Sequence, residues 1–553
     1  MGKLTSLEDA AASVQSGMTL AFGGMTNYRR PAGFAAELVR QGTSADLTLL
    51  GLTLGIESDI LVAAGMVAKT RTCYFGLEYL PAPAFTDAAQ RGTLDIIEET
   101  EASLALGLRA ALMGVPYLPS NAWSHTDLPS LRPDVARQAD GLYAFPSLRP
   151  DVAVIHVEKA DAQGNAVVSG NRGIDREIAS LAEYTIITAE RIVPTEEIAR
   201  EGAYLSAEVV DAVVELPLGA YPTSCYPEYT FDFSFLRKYL EHSFTGNLGI
   251  FVDDYVRTAD HEEYLSLSKA KQLLQLDPRK LASLAPGGKR KASTADVMAK
   301  AIADCISDEM VAQGIATPLV AAGYALAKAS GKNVRFASAV GNCLTERISP
   351  LSLQGYEFLL LDSAVSKMSF AEAACEVLPL LAPKEFLRPA QVDRSGRTNN
   401  LWTVNAKSGE RMRWPGAGGI PDVTAYNEKL HLYLPRQRDY NLVERVEMVS
   451  GAGCDVHGPV KLVTDLAVFS FESGEAQVQS IHPGVSEKQL QKETGFALDI
   501  PANVPRTPEP DSDELALLQV VDPLGIRDVE LLSGLKRLMK TLDIASKERD
   551  AMR

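Results

Sequence analysis

The sequence predicts an α/β protein of two related halves. Short β-branched runs alternate with helical stretches, the pattern of a layered α/β fold. A Pro- and Gly-rich break divides the chain near its middle, and the same order of elements begins again after it. The chain has 553 residues, more than one hydrophobic core accommodates, since cores stop growing at about 250 to 300 residues.

The elements follow in order. MTLAFGG (18–24), DLTLLGL (46–52), KTRTCYF (69–75), DVAVIHV (151–157) and YTIITAE (184–190) are apolar or β-branched runs bounded by Gly, Asp or Pro, and each reads as a strand. PAGFAAELVRQG carries apolar residues at helical spacing and a closing glycine, so a helix is expected from Pro31. LDIIEETEASLALGLRAALMGVPYLP (94–119) reads as a strand end, an acidic turn and a helix with Leu104, Leu108 and Ala111 on one face. DPRKLASLAPGGKRKAST (277–294) is the expected linker, between a first domain at 1–276 and a second at 295–553. A helix is then expected over Ala295 to Ala312, followed by GIATPLVAAGYALAKASG and the strand VRFAS. ADAQGNAVV (160–168) in the first half is echoed by VDRSGRTNN (392–400) in the second, each a tight turn after an apolar strand. A Pro-rich acidic stretch, PANVPRTPEPDSDE, precedes a helical tail.

Composition narrows the partners. A formal charge of −17 opposes nucleic acid and anionic membrane surfaces, which demand a dense basic footprint. Small molecules are the expected partners. No apolar run approaches the ~18 residues needed to cross a bilayer, and the polar start GKLTSLEDAAASV lacks the regions of a secretory signal, so a cytoplasmic location is expected. The six cysteines contain no CxxC pair and the seven histidines no HxH or HxxxH spacing, so neither a disulfide framework nor a metal site is expected.

Several motifs, in order, carry a family resemblance: FGGMTNYRRPAGFAAELVRQG, RAALMGVPYLP, PDVAVIHVEKADAQGN, EYTIITAERIVPTEEI, VDAVVELPLGAYPTSCY and DHEEYL in the first half, then WPGAGGIPD, VERVEMVSGAGCD, VTDLAVFSF and HPGVSEKQLQKETGF in the second. The chain resembles the class I CoA-transferases of the glutaconate type, with α and β subunits fused head to tail. The resemblance implies two related open α/β-sheet halves with the active site at the interface between them, an acyl-CoA thioester as substrate, and a homodimer of the fused chain.

In such transferases a glutamate on a strand-end turn of the β half attacks the thioester, a step only a carboxylate oxygen can perform. The matching turn here is ASAVGNC, and Ala337 stands opposite that glutamate, followed by Ser338. Glu346 is the nearest substitute, and Cys343 raises the alternative of a decarboxylase, since some family members place a cysteine at the glutamate position. The segment 94–119 resembles the ring-opening CoA hydrolases of bacterial steroid degradation, which keep a catalytic glutamate at the start of this helix. Glu101 matches that position, which implies hydrolytic C–C cleavage with Glu101 as general base and CoA transfer as the alternative. Glu98, Glu99 and Glu101 read equally as charges favoured by the positive helix end.

Backbone amides of Gly23 and Gly24, or of Gly416, Gly418 and Gly419, are candidate donors to a developing oxyanion. FGGMTN also reads as a plain strand-to-helix turn, whereas three glycines in PGAGG point to close ligand approach. Arg29 and Arg30 are candidates for a substrate carboxylate or CoA phosphate, or form a solvated surface pair. Asn121 and His125 in SNAWSHTD complete the expected substrate-binding set.

Overall fold

A computed structural model describes residues 2–284, 288, 290–405 and 408–553. The first sheet contains β1 (Thr19–Phe22), β2 (Leu47–Leu50), β3 (Val67–Thr72), β4 (Asp95–Glu98), β5 (Val152–Ala160), β6 (Tyr184–Ile192) and β7 (Ala212–Glu215). Across the sheet they run β7-β6-β5-β1-β2-β3-β4, all parallel. β5 is buried along nearly its whole length, as a parallel strand covered on both faces requires.

The second sheet contains β8 (Met310–Gln313), β9 (Arg335–Ser338), β10 (Cys343–Thr345), β11 (Ala364–Lys367), β12 (Lys384–Leu387), β13 (Leu430–Leu434), β14 (Lys461–Thr464), β15 (Ala467–Ser470) and β16 (Gln477–Ile481). Its order is β11-β10-β9-β8-β12-β13-β14-β15-β16. The central strands β9, β8, β12, β13 and β14 are parallel, and antiparallel strands flank them on both sides.

Each sheet has a point where strand order reverses, between β1 and β5 in the first and between β8 and β12 in the second. Ligands of open α/β sheets bind at the carboxyl ends of the strands at such points. One buried apolar cluster runs through both halves, joining Phe22, Leu49 and Ile186 to Met298, Tyr324 and Tyr433.

Helix α1 (Ala32–Gln41) begins directly after Pro31 and closes on Gly42 at φ 59°, a left-handed position that glycine adopts at little cost. Helix α2 (Glu101–Leu112) follows β4 and buries Leu104, Leu108 and Ala111. The helix expected over Ala295 to Ala312 is shorter: α3 (Thr294–Asp304) stops at Cys305. Asp308 instead accepts a hydrogen bond from Asn333 N–H at 2.8 Å, and the β-branched Val311 enters the sheet in β8. The chain ends in α4 (Gly534–Met552).

The expected linker is partly packed. Pro278–Ser283 forms 3-10 turns, and Leu281 is buried with Leu359 and Met552. Residues 285–287 and 289 lie outside the described residues. Among the described residues, no helix is long and apolar enough to cross a membrane.

The two turns that echo in sequence also share a geometry. Asp161 Oδ1 accepts from Gln163 N–H and Asn165 N–H, each at 2.9 Å. Asp393 Oδ1 accepts from Ser395 N–H at 2.9 Å and Arg397 N–H at 3.0 Å. Each turn has a left-handed glycine, Gly164 or Gly396, and then a short antiparallel strand.

Candidate active site

The carboxyl ends of the two sheets face each other across a cavity of about 220 Å³. Met25, Thr26, Thr53, Tyr74, Glu78 and Glu101 line it from the first half. Ala312, Gln313, Ala337, Ser338, Cys343, Glu385 and Gly418 line it from the second.

Glu101 is the first residue of α2, and both halves build its cradle. Thr100 caps the helix: its hydroxyl accepts from Ser103 N–H at 3.2 Å and from Trp123 Nε1 at 2.8 Å. The same hydroxyl donates to Asp422 Oδ1 at 2.7 Å, and Asp422 Oδ2 accepts from Ala102 N–H at 2.9 Å. Asp422, a second-half residue, therefore takes up two donors at the start of a first-half helix. The Glu101 N–H donates to Gly418 O at 3.3 Å, and Gly418 N–H donates to Cys73 O at 3.0 Å. A Cβ at position 419 would collide with Glu101 Oε2, so a side chain there would displace the carboxyl from its present place.

Burial pushes the Glu101 carboxyl up to about 8, helped by the charges of Asp422 and Glu385 and opposed by the Gly419 amide. Burial likewise raises Asp422, Glu78 and Glu385, each to about 7. Among the described residues, Glu101 has no cation partner. Its neighbours do: Glu98 pairs with Arg413 of the second half, and Glu99 pairs with Arg71 and Arg132, both at 2.7 Å.

Ala337 and Ser338 lie in the cavity wall, and the buried Ser338 hydroxyl has no hydrogen-bond partner among the described residues. Cys343 is also in the wall, where burial pushes its thiol up to about 12, so a reactive thiolate is not available near neutral pH. Gly418 lines the cavity and Gly419 abuts Glu101. Gly416, at φ 136°, packs its backbone on Cys73.

The remaining expected residues lie elsewhere. Gly23 N–H donates to Val154 O at 2.9 Å and Gly24 N–H to Asp175 Oδ1 at 2.8 Å, so these amides are occupied and serve the strand-to-helix turn. Arg29 and Arg30 are neither solvated nor in the cavity wall: they are 1% and 0% exposed and pair with Asp175 and Glu57. An interior arginine needs such a carboxylate to offset its desolvation. Asn121 is exposed and donates weakly to Ala425 O at 3.4 Å. His125 is exposed beside Asp455, and Glu346 is exposed beyond β10. None of these lines the cavity.

Sequence reasoning missed Glu385, on β12. Among the described residues its carboxyl has no hydrogen bond or ion pair, and its Oε2 is buried without a partner. One group of metal-ligand type, His156, Glu190 and Cys225, is found among the described residues. Its imidazole nitrogens already meet Thr188 and Glu190, and Tyr229 and Leu218 N–H donate to the Glu190 oxygens.

The site is a cavity between two open α/β sheets that holds a carboxylate of raised pKa, and comparison with known proteins identifies the family. A family model described as coenzyme A transferase matches residues 4–216. The A-type subunit of glutaconate CoA-transferase from Acidaminococcus fermentans is 32% identical over 304 residues, covering 50% of this chain and 95% of that protein. The cholesterol ring-cleaving hydrolase IpdA subunit of Mycobacterium tuberculosis is 32% identical, covering 44% of this chain and 89% of that protein. The B-type subunit of 3-oxoadipate CoA-transferase from Pseudomonas knackmussii is 32% identical over 151 residues, 25% of this chain and 57% of that protein. In fold, the acyl-CoA transferase YdiF of E. coli O157:H7 matches with a TM-score of 0.68 at 13% identity, over 92% of this chain and 95% of that one.

The chain belongs to the CoA-transferase family. It is an enzyme with the α-like and β-like subunits fused in one chain, acting on acyl-CoA thioesters.

Proposed function

We propose that this enzyme hydrolyses a C–C bond of a cyclic or β-keto acyl-CoA, with Glu101 as the general base. The observation that carries the reading is a carboxylate without a cation partner at the start of α2, facing a wall that presents alanine at position 337. Glu101 takes a proton from water while the water oxygen bonds to the ketone carbon. The alkoxide then collapses, the C–C bond breaks, and the electron pair passes to the α-carbon as a thioester enolate. The Ser338 hydroxyl, without a hydrogen-bond partner among the described residues, is a donor available to that enolate oxygen, and one well-placed donor contributes about 3 to 4 kcal/mol. The likeness to a protein named for ring cleavage supports the same reading.

The test is mass spectrometry of a panel of acyl-CoAs incubated with the enzyme, with and without acetate. Gain of one water without loss of CoA is expected, and E101Q should lower that rate by about 10² to 10⁴. CoA appearing on acetate, or E101Q within tenfold of wild type, refutes the reading.

CoA transfer is the second reading, supported by the free carboxyl of Glu385 in the same cavity. Its signature is a glutamyl adduct trapped by hydroxylamine and mapped to one peptide.

A further inference from the structure

We infer that Glu385 is a second catalytic residue, the acid that delivers a proton to the α-carbon of the acyl-CoA after C–C cleavage. The inference rests on the hydrolytic reading above and extends it to the fate of the enolate.

The placement comes from sheet register. Ala312 on β8 pairs with Ala337 on one side and with Glu385 on the other. Cross-strand partners share a face of the sheet, and all three residues line the cavity. A carboxyl group therefore enters from the same face as position 337, two strands away.

Its environment suits a neutral acid. Glu78, another carboxyl of the cavity, accepts from Thr26 Oγ1 at 2.7 Å, whereas among the described residues no donor reaches Glu385 and its Oε2 is buried without a partner. Arg388, three residues on, is taken by Glu530. The titratable groups acting across from Glu385 are Glu101, Tyr426 and Tyr324. A buried carboxyl with neither donor nor cation is favoured in its protonated form. Glu101 has the Gly419 amide and the α2 N-terminus to favour its anion, but burial and the charges of Asp422 and Glu385 outweigh them, so the working form, with Glu101 ionised and Glu385 protonated, is the less populated of the two one-proton forms.

The atoms balance. Water gives its proton to Glu101 and its oxygen to the ketone carbon, the cleaved bond's electron pair forms the enolate, and the Glu385 proton closes the new C–H bond. Glu101 ends protonated and Glu385 ionised, and one proton exchanged with solvent restores both.

The experiment uses two probes. Hydrolysis is followed with 2-oxocyclohexane-1-carboxyl-CoA. The protonation step is followed in reverse, as uptake of deuterium from D2O at the α-carbon of its ring-opened product, pimeloyl-CoA. Wild type should exchange, E385Q should lose both exchange and hydrolysis by 10²-fold or more with pimeloyl-CoA affinity within threefold of wild type, and E101Q should lose hydrolysis but keep measurable exchange. E385L, which removes a partnerless carboxyl at similar volume, should melt at or above the wild-type temperature and also lose exchange, so loss of folding is not the cause. No exchange by wild type above the buffer rate, an E385Q enzyme that still exchanges, or a hydroxylamine-trapped adduct on Glu385 overturns the inference. If wild type exchanges through Glu385 but does not hydrolyse the cyclic probe, the hydrolytic reading falls and the role of Glu385 in proton transfer stands.

Discussion

Glu98, Glu99 and Glu101 stand within four residues and meet two different fates. Two are neutralised by arginines, while the third is left to desolvation and to like charges, and only that one is suited to take a proton from water. The proposed chemistry needs Glu101 ionised and Glu385 protonated, so the pair must hold one proton. Glu101 is pushed up to about 8 and Glu385 to about 7, and the rate of hydrolysis is expected to peak between those values and to fall on either side. Asp422, Tyr426 and the Gly419 amide complete the field around the pair. E385Q should remove the descending alkaline limb and leave one ascending limb set by Glu101 alone, with its midpoint below pH 8 because a neutral glutamine no longer repels the Glu101 anion. A pH-rate profile of wild type and E385Q checks both shifts. The arginines illustrate what residue identity alone conceals: YRRP looks like a surface cation pair, and only the placement of Asp175 and Glu57 makes it interior.

Helix α2 depends on a carboxylate it does not own. Removing Asp422 leaves the Thr100 hydroxyl and the Ala102 N–H without their acceptor, and loss of such a cap costs about 0.5 to 2 kcal/mol. D422A is expected to lower the melting temperature measurably and to reduce turnover at least tenfold, because the start of α2 also sets the position of Glu101. Thermal unfolding and steady-state rates together check this. At this scale the first half was readable: each β-branched run became a strand, and α1 and α2 formed where apolar spacing and breakers put them. The expectation failed at Ala295 to Ala312, where an alanine-rich stretch continues the helical pattern past Cys305 but sheet pairing claims Val311. Glu385 lay outside every motif. The visible signal was a glutamate within KEFL, since central parallel strands are buried on both faces and seldom accommodate a charge.

In the whole molecule the halves are joined by more than the connecting chain. Phe75 N–H donates to Pro415 O at 2.8 Å, Phe370 N–H to Gly173 O at 2.7 Å, and Asp127 N–H to Val449 O at 2.8 Å. Glu98 pairs with Arg413 across the same seam, and one apolar core passes through it. Two polypeptides, cut between Leu284 and Arg290 and produced together, are therefore expected to co-purify as a one-to-one complex with activity within about tenfold of the intact chain. Size-exclusion chromatography and turnover check it, and separate elution would refute it. The paired Asp161 and Asp393 turns, each in register with its own short strand, are the part of the internal repetition that both sequence and structure carry. The cradle of Glu101 has a consequence during synthesis. A ribosome delivers residues 1 to 284 before Gly418, Gly419 and Asp422 exist, so the contacts they make with Thr100, Glu101 and Ala102 cannot form until the last third of the chain has been translated and docked.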